Sequence, residues 1–125
     1  MNLLEIQKLA RAWIALQNAP QESAEHEKHF WAFEQLRDLL EEKPEVCWVV
    51  INTIREIDGS DKILAGVASG PLEDLLVSHG PAFIERVEAL AGKDPQFRKL
   101  LGAVWQNDIR DDIWRRVQAV AGPSF

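Results

Sequence analysis

Two histidines, His26 and His29, stand three residues apart in a His-Glu-Lys-His run, with Glu22 and Glu25 just upstream. On a helix that spacing puts both imidazoles on one side, where they could hold a metal ion with a carboxylate as third ligand. The run is not the HExxH pattern of zinc proteases, and no second His or Cys pair supplies the missing ligands. Beside Phe30 and Phe33, the two histidines read as core or boundary residues, and no metal or cofactor is expected. Cys47 falls in the first turn of a helix, a setting that can depress a thiol pKa. A cysteine nucleophile also needs a base and oxyanion donors, and the three histidines of the chain form no arrangement that supplies them. Amid Val46, Val49 and Val50 it reads as a small buried apolar side chain. His79, just before Gly80, reads as a helix C-terminal cap, where the dipole favours an imidazolium. The pairs Glu73-Asp74 and Asp111-Asp112 sit in first helical turns, which accounts for them without catalysis. With no phosphate-binding Gly loop, GxSxG elbow or CxxC, no catalytic residue is expected and the chain reads as a non-enzyme.

Tryptophans that miss the apolar stripes carry more information. Trp31 falls away from Phe33, Leu36 and Leu40, on the side of Glu27, Glu34 and Asp38. An apolar anchor among acids is the pattern of a surface for a basic protein, and packing on a neighbouring helix is the competing explanation. Trp48 lies opposite Val46, Val50 and Ile57, beside Asn52 and Arg55, where a helix buried on both sides would explain it equally. Trp105 and Trp114 continue apolar faces and read as structural. The expected partner-binding residues are therefore Glu27, Trp31, Glu34, Asp38 and Trp48. A contact with a second copy of the chain would use the same off-stripe tryptophans, so a homodimer stays open.

The charge balance points the same way. The 125 residues carry a formal charge of −6, which argues against general nucleic-acid binding, because phosphate contacts need surplus Lys and Arg. Residues 1–62 hold twelve acidic and seven basic side chains, leaving −5, and the remainder hold eight and seven, leaving −1. A basic partner is expected to dock on the N-terminal half. A single Cys47 gives no internal disulfide. No apolar run approaches the roughly 18 residues that span a bilayer, and no basic segment leads into an apolar one at the start. Neither membrane nor oxidising compartment is indicated, and the cytoplasm is the expected location.

The elements that position these residues are helices. Asn2 with Glu5 forms a capping box for a first helix to about Asn18, with a buried stripe of Leu3, Ile6, Leu9, Ala10, Trp13 and Ile14. Ala19-Pro20-Gln21 breaks it, and Ser23 caps a second helix to about Glu42 whose apolar face is Phe30, Phe33, Leu36 and Leu40. Val46 to Ile51 is rich enough in Val and Ile to form a buried strand. Pro44-Glu45 at the front, the repeat Val46, Val50, Ile54, Ile57 and the stop at Asp58-Gly59 favour a third helix. Ser60 or Asp61 caps a short fourth through Ala68. Beyond Gly70, Pro71, Pro81 and Pro95 mark helix starts and Gly80 and Gly92 mark stops. Apolar residues recur there at three and four: Leu72, Leu75, Leu76; Phe83, Ile84, Val87, Leu90; Phe97, Leu100, Leu101, Val104. A last helix runs from about Asp111 to Ala121 and buries Ile113, Val117 and Val120. The sum is an all-α chain of seven to eight short helices in a compact orthogonal bundle or stacked helical hairpins. It has no fixed-period repeat and no linker, hence one domain over 1–125.

Within residues 70–117, GPLEDLL, the His79-Gly80 pair, FIERVE, DPQFR, Val104-Trp105 and IWRRV resemble a family of small bacterial all-helical proteins classed as a domain of unknown function. The resemblance implies a bacterial origin and a helical fold, and it carries no catalytic residues over. The leading functional expectation is an acidic, non-enzymatic protein-binding module, most concretely of immunity or inhibitor type, acting on a basic partner. The alternative is a small-ligand-binding or regulatory domain with a pocket lined by Trp13, Phe30, Phe33 and Trp48.

Overall fold

Local capping sets the first helices. In a computed structural model describing residues 1–125, the Asn2 side chain accepts from the Glu5 amide at 2.9 Å and the Glu5 carboxylate accepts from the Asn2 amide at 3.0 Å. This closed capping box starts α1, Leu3–Asn18. Ser23 Oγ accepts from the His26 amide at 3.1 Å and opens α2, Ala24–Glu42, after a turn that holds Glu22 at a positive φ of 62°. Helix α3, Pro44–Ile57, begins with proline at its first position, so residues 46–51 are helical and the strand alternative is excluded. Ser60 caps α4, Asp61–Val67, through the Ile63 amide.

A π-helical turn, Ala68–Leu72, follows, with Gly70 outside helical geometry and Pro71 inside the turn. Then come α5, Glu73–Lys93, α6, Pro95–Leu101, and α7, Asp111–Val120. No element is a strand, and the chain is all-α. One expected boundary lies inside α5. The element is two helical segments that meet at His79, whose φ and ψ of −135° and 23° are non-helical, so the stop at Gly80 and the restart at Pro81 fall where the sequence places them. Pro81 cannot donate to the preceding turn and its ring crowds the carbonyl four residues back, so the distortion falls just upstream. Gly80 is buried there, and a Cβ on it would lie 3.1 Å from Ile113 Cγ1 of α7, a tight contact that the Ile113 side chain would have to yield to. His79 is thus the kink residue, at the junction of the two helical segments.

The chain divides into two compact units, Met1–Ile63 and Leu64–Phe125. In the first, α1, α2 and α3 pack pairwise. Their buried lines are Ile6, Leu9, Ala10, Ala12, Trp13 and Leu16, then Ala32, Leu36 and Leu40, then Cys47, Val50, Ile51 and Ile54. In the second, α5 is the element on which both α6 and α7 pack. It buries Leu75, Leu76, Phe83, Ile84 and Val87, and its partners bury Phe97, Leu100 and Leu101 from α6 and Ile113 and Val117 from α7.

Several side chains depart from the expected lines. Leu3 is 66% exposed, and Leu16 takes its place in the buried line of α1. Phe30 and Phe33 are 41% and 44% exposed instead of buried with Leu36 and Leu40. Trp105 lies beyond the end of α6, outside any helix, and is 70% exposed, so it does not continue an apolar face.

Candidate functional site

Helix α2 concentrates the candidate residues. At 3.6 residues per turn, the side chains leave the buried line at Leu40 and pass in order through Phe33, Arg37 and Phe30. They continue through Glu41, Glu34, Glu27 and Asp38, then reach Trp31, and return by way of Lys28 and Leu39 to Ala32. The four acids form an exposed crest, with aromatic rings on both flanks.

On one flank the rings form a ladder. His26 and Phe30 have centroids 5.7 Å apart, Phe30 and Phe33 5.5 Å, and the Arg37 guanidinium lies 5.6 Å from the Phe33 ring. These are tilted contacts of the kind aromatic pairs prefer, and they hold the rings side by side at the surface. Ala32 is fully buried, and with Leu36 and Leu40 it makes the buried line of α2 in place of the expected stripe. Spacing alone could not separate these cases, because Phe33 and Ala32 both fit a helical line through Leu36 and Leu40.

On the other flank, Trp31 is 37% exposed. Its ring lines a hollow of about 490 Å³ shared with Lys8, Arg11 and Ala12 of α1 and with Lys28 and His29 of α2. Lys8 Nζ stands 5.9 Å from the ring centroid. Glu27, Glu34 and Asp38 are exposed on the crest, and none of them lines this hollow. The cations were not singled out by sequence. Their signal was Lys8 and Arg11, three residues apart on α1 and next to the buried Ala12.

The remaining candidates are dispersed. Trp48 is half-buried on α3; its carbonyl accepts from Asn52 Nδ2 at 2.9 Å, and Asn52 Oδ1 accepts from Arg55 Nε at 2.8 Å. Arg55 is itself buried. Trp13 is buried while Phe30 and Phe33 are exposed, so these rings do not line one enclosed pocket as expected. His26 is stacked on Phe30, and His29 Nε2 lies 3.4 Å from Glu25 Oε2. Cys47 is fully buried, as its apolar surroundings in the sequence implied. No three His, Cys, Asp or Glu side chains converge as a metal site, no buried side-chain polar atom lacks a hydrogen-bond partner, and no helix is long and apolar enough to cross a membrane.

Comparison with curated proteins and with solved structures found no match to this chain. Residues 19–124 match the model of a family of unknown function, DUF6869, a span that takes in α2, α3 and every helix of the second unit and is wider than the stretch that carried the resemblance. The chain belongs to that family.

Proposed function

We propose that this protein is a non-enzymatic binding module whose docking element is α2 and whose partner is a basic protein. The observation that supports this reading is the surface of α2. The carboxylates Glu27, Glu34, Asp38 and Glu41 line its crest, and the exposed Phe30–Phe33 ladder runs alongside. Scattered exposed apolar side chains need no explanation, but adjacent rings on one helix do. Rings supply desolvated contact area, and the flanking carboxylates steer a cationic surface and fix its register.

A further feature of α2 adds weight. The acids Glu41 and Glu42 end the helix, at the pole where the dipole disfavours negative charge, and no basic residue occupies that last turn. Their placement weakens the helix and suits a role outside it. His26, His29 and Cys47 are engaged in a tilted ring contact with Phe30, in the contact with Glu25 and in the core, respectively. Trp31 edges the same crest and Trp48 stands on the neighbouring helix. In its most concrete form the reading is an immunity or inhibitor protein that occludes a basic partner.

The test compares wild type with a Phe30→Ala, Phe33→Ala, Glu34→Lys variant, each verified as folded, in affinity capture from the source cells followed by reconstitution with the purified partner. A basic protein bound by wild type should lose on the order of 100-fold in affinity to the variant, since two ring anchors and one complementary charge are removed. Undiminished binding to the variant removes α2 as the docking element.

A further inference from the structure

The hollow between α1 and α2 has a chemistry opposite to that of its surroundings. Residues 1–62 carry twelve acidic and seven basic side chains. Three of those seven, Lys8, Arg11 and Lys28, line this one hollow, and no carboxylate does. Lys8 and Arg11 are three residues apart on α1, close enough to repel. None of the three is in an ion pair with a carboxylate, although the unit has acids to spare. A fold that only needed solubility would interleave these cations with the acids. Gathering them around an exposed indole makes a site for a multiply charged anion.

The indole narrows the class. Trp31 presents a flat apolar ring at the edge of the hollow, with Lys8 placed near its face. Rings of this kind stack on nucleobases, and Arg and Lys are the usual phosphate binders. The hollow, of about 490 Å³, is open to solvent, so a ligand would lie at the surface against these side chains and would not be enclosed. We propose that this hollow binds a free nucleotide, with its phosphates on Lys8, Arg11 and Lys28 and its base against Trp31. The proposal rests on the cations and not on the acidic crest that carries the protein-binding reading, and the two share only Trp31, which edges both.

The test is calorimetric titration of the full chain with ATP, tripolyphosphate and adenosine as probes. ATP should saturate at one per chain, with adenosine and tripolyphosphate each about tenfold weaker, because each offers only half of the recognised chemistry. Lys8→Glu and Arg11→Glu should each weaken ATP by at least about tenfold, as expected for removing a charge-assisted contact and adding repulsion. Trp31→Ala should bring ATP down to the affinity of tripolyphosphate, and Trp31→Phe should restore the difference. Arg37→Glu, on the opposite flank of α2, makes the same charge change outside the hollow and should leave ATP within about twofold. The substituted side chains are all exposed or at the surface edge, so thermal midpoints close to wild type are expected and are checked first. The proposal is overturned if ATP gives no saturable binding, if Arg37→Glu is as damaging as Lys8→Glu, if tripolyphosphate equals ATP on the wild type, or if an acidic peptide outcompetes ATP at these residues.

Discussion

Arg116 of α7 reaches back to Glu88 of α5 with both arms of its guanidinium, Nε to Oε2 at 2.9 Å and Nη2 to Oε1. The hydrogen bond from Arg116, together with its charge, holds the Glu88 carboxyl below its ordinary value of 4.5, and the Arg116 value is raised in turn. A carboxyl whose folded pKa is depressed stabilises the fold above the unfolded pKa and loses that contribution as pH falls through the folded one. Glu88→Gln should therefore lower the urea midpoint at pH 7, and the gap to wild type should close below pH 4.5 as Glu88 is protonated in the folded state too. Urea titrations across that range decide it. A gap that persists in acid would assign the loss to packing and not to the ionised pair. Arg116 and Glu88 are 28 residues apart in sequence, so no local spacing pairs them.

At the scale of elements, two glycines make opposite predictions. A Cβ at Gly102 would stand 2.8 Å from the Gly122 carbonyl oxygen and closer still to that of Pro123, both backbone atoms that cannot rotate away. The segment it would displace is anchored by the Gly122 amide, which donates to the Arg98 carbonyl at 2.9 Å. Gly102→Ala should cost about 1–3 kcal/mol, in line with overpacking elsewhere. A Cβ at Gly92, in the last turn of α5, meets nothing within 4 Å, and the backbone there has no positive φ. Gly92→Ala should stabilise by about 0.4–1 kcal/mol by restricting the unfolded chain. Chemical denaturation of the pair tests both, and equal signs would refute the packing account. Legibility followed the same division between local and distant causes. The caps at Asn2 and Ser23, the cap at Ser60 or Asp61 and the helix start at Pro95 are local chemistry and were readable. The helical state of residues 46–51 followed from Pro44 and the i, i+4 repeat. The break at Gly80 and Pro81 is local too and stands as the kink at His79, whereas the packing of Gly80 against Ile113, far along the chain, could not be read from that local signal. The same holds for the candidate site: the acids of α2 were legible, but the exposure of Phe30 and Phe33 and the cations around Trp31 depend on how α1 and α2 pack.

For the whole molecule, the governing quantity is where the charge lies. The formal charge of −6 divides as −5 over residues 1–62 and −1 over the rest, and α2 alone contributes six acids against Lys28 and Arg37. If only total charge drew a basic partner in, any three acids would be equivalent. A local field is different: with a screening length of about 8 Å at physiological salt, the acids beside the docking surface dominate. Two variants of equal net charge separate the cases. Glu27→Gln with Glu34→Gln and Asp38→Asn should lower the association rate constant for a basic partner by about tenfold at low salt and flatten its salt dependence. Asp74→Asn with Glu85→Gln and Asp108→Asn removes as many charges from the second unit and should change the rate by less than about twofold. Stopped-flow association across a salt series reads both. Equal slowing would mean that the overall field does the steering and that the crest of α2 has no special part in it. Slowing confined to the first variant would place the encounter on α2, next to the Phe30–Phe33 ladder that completes the contact.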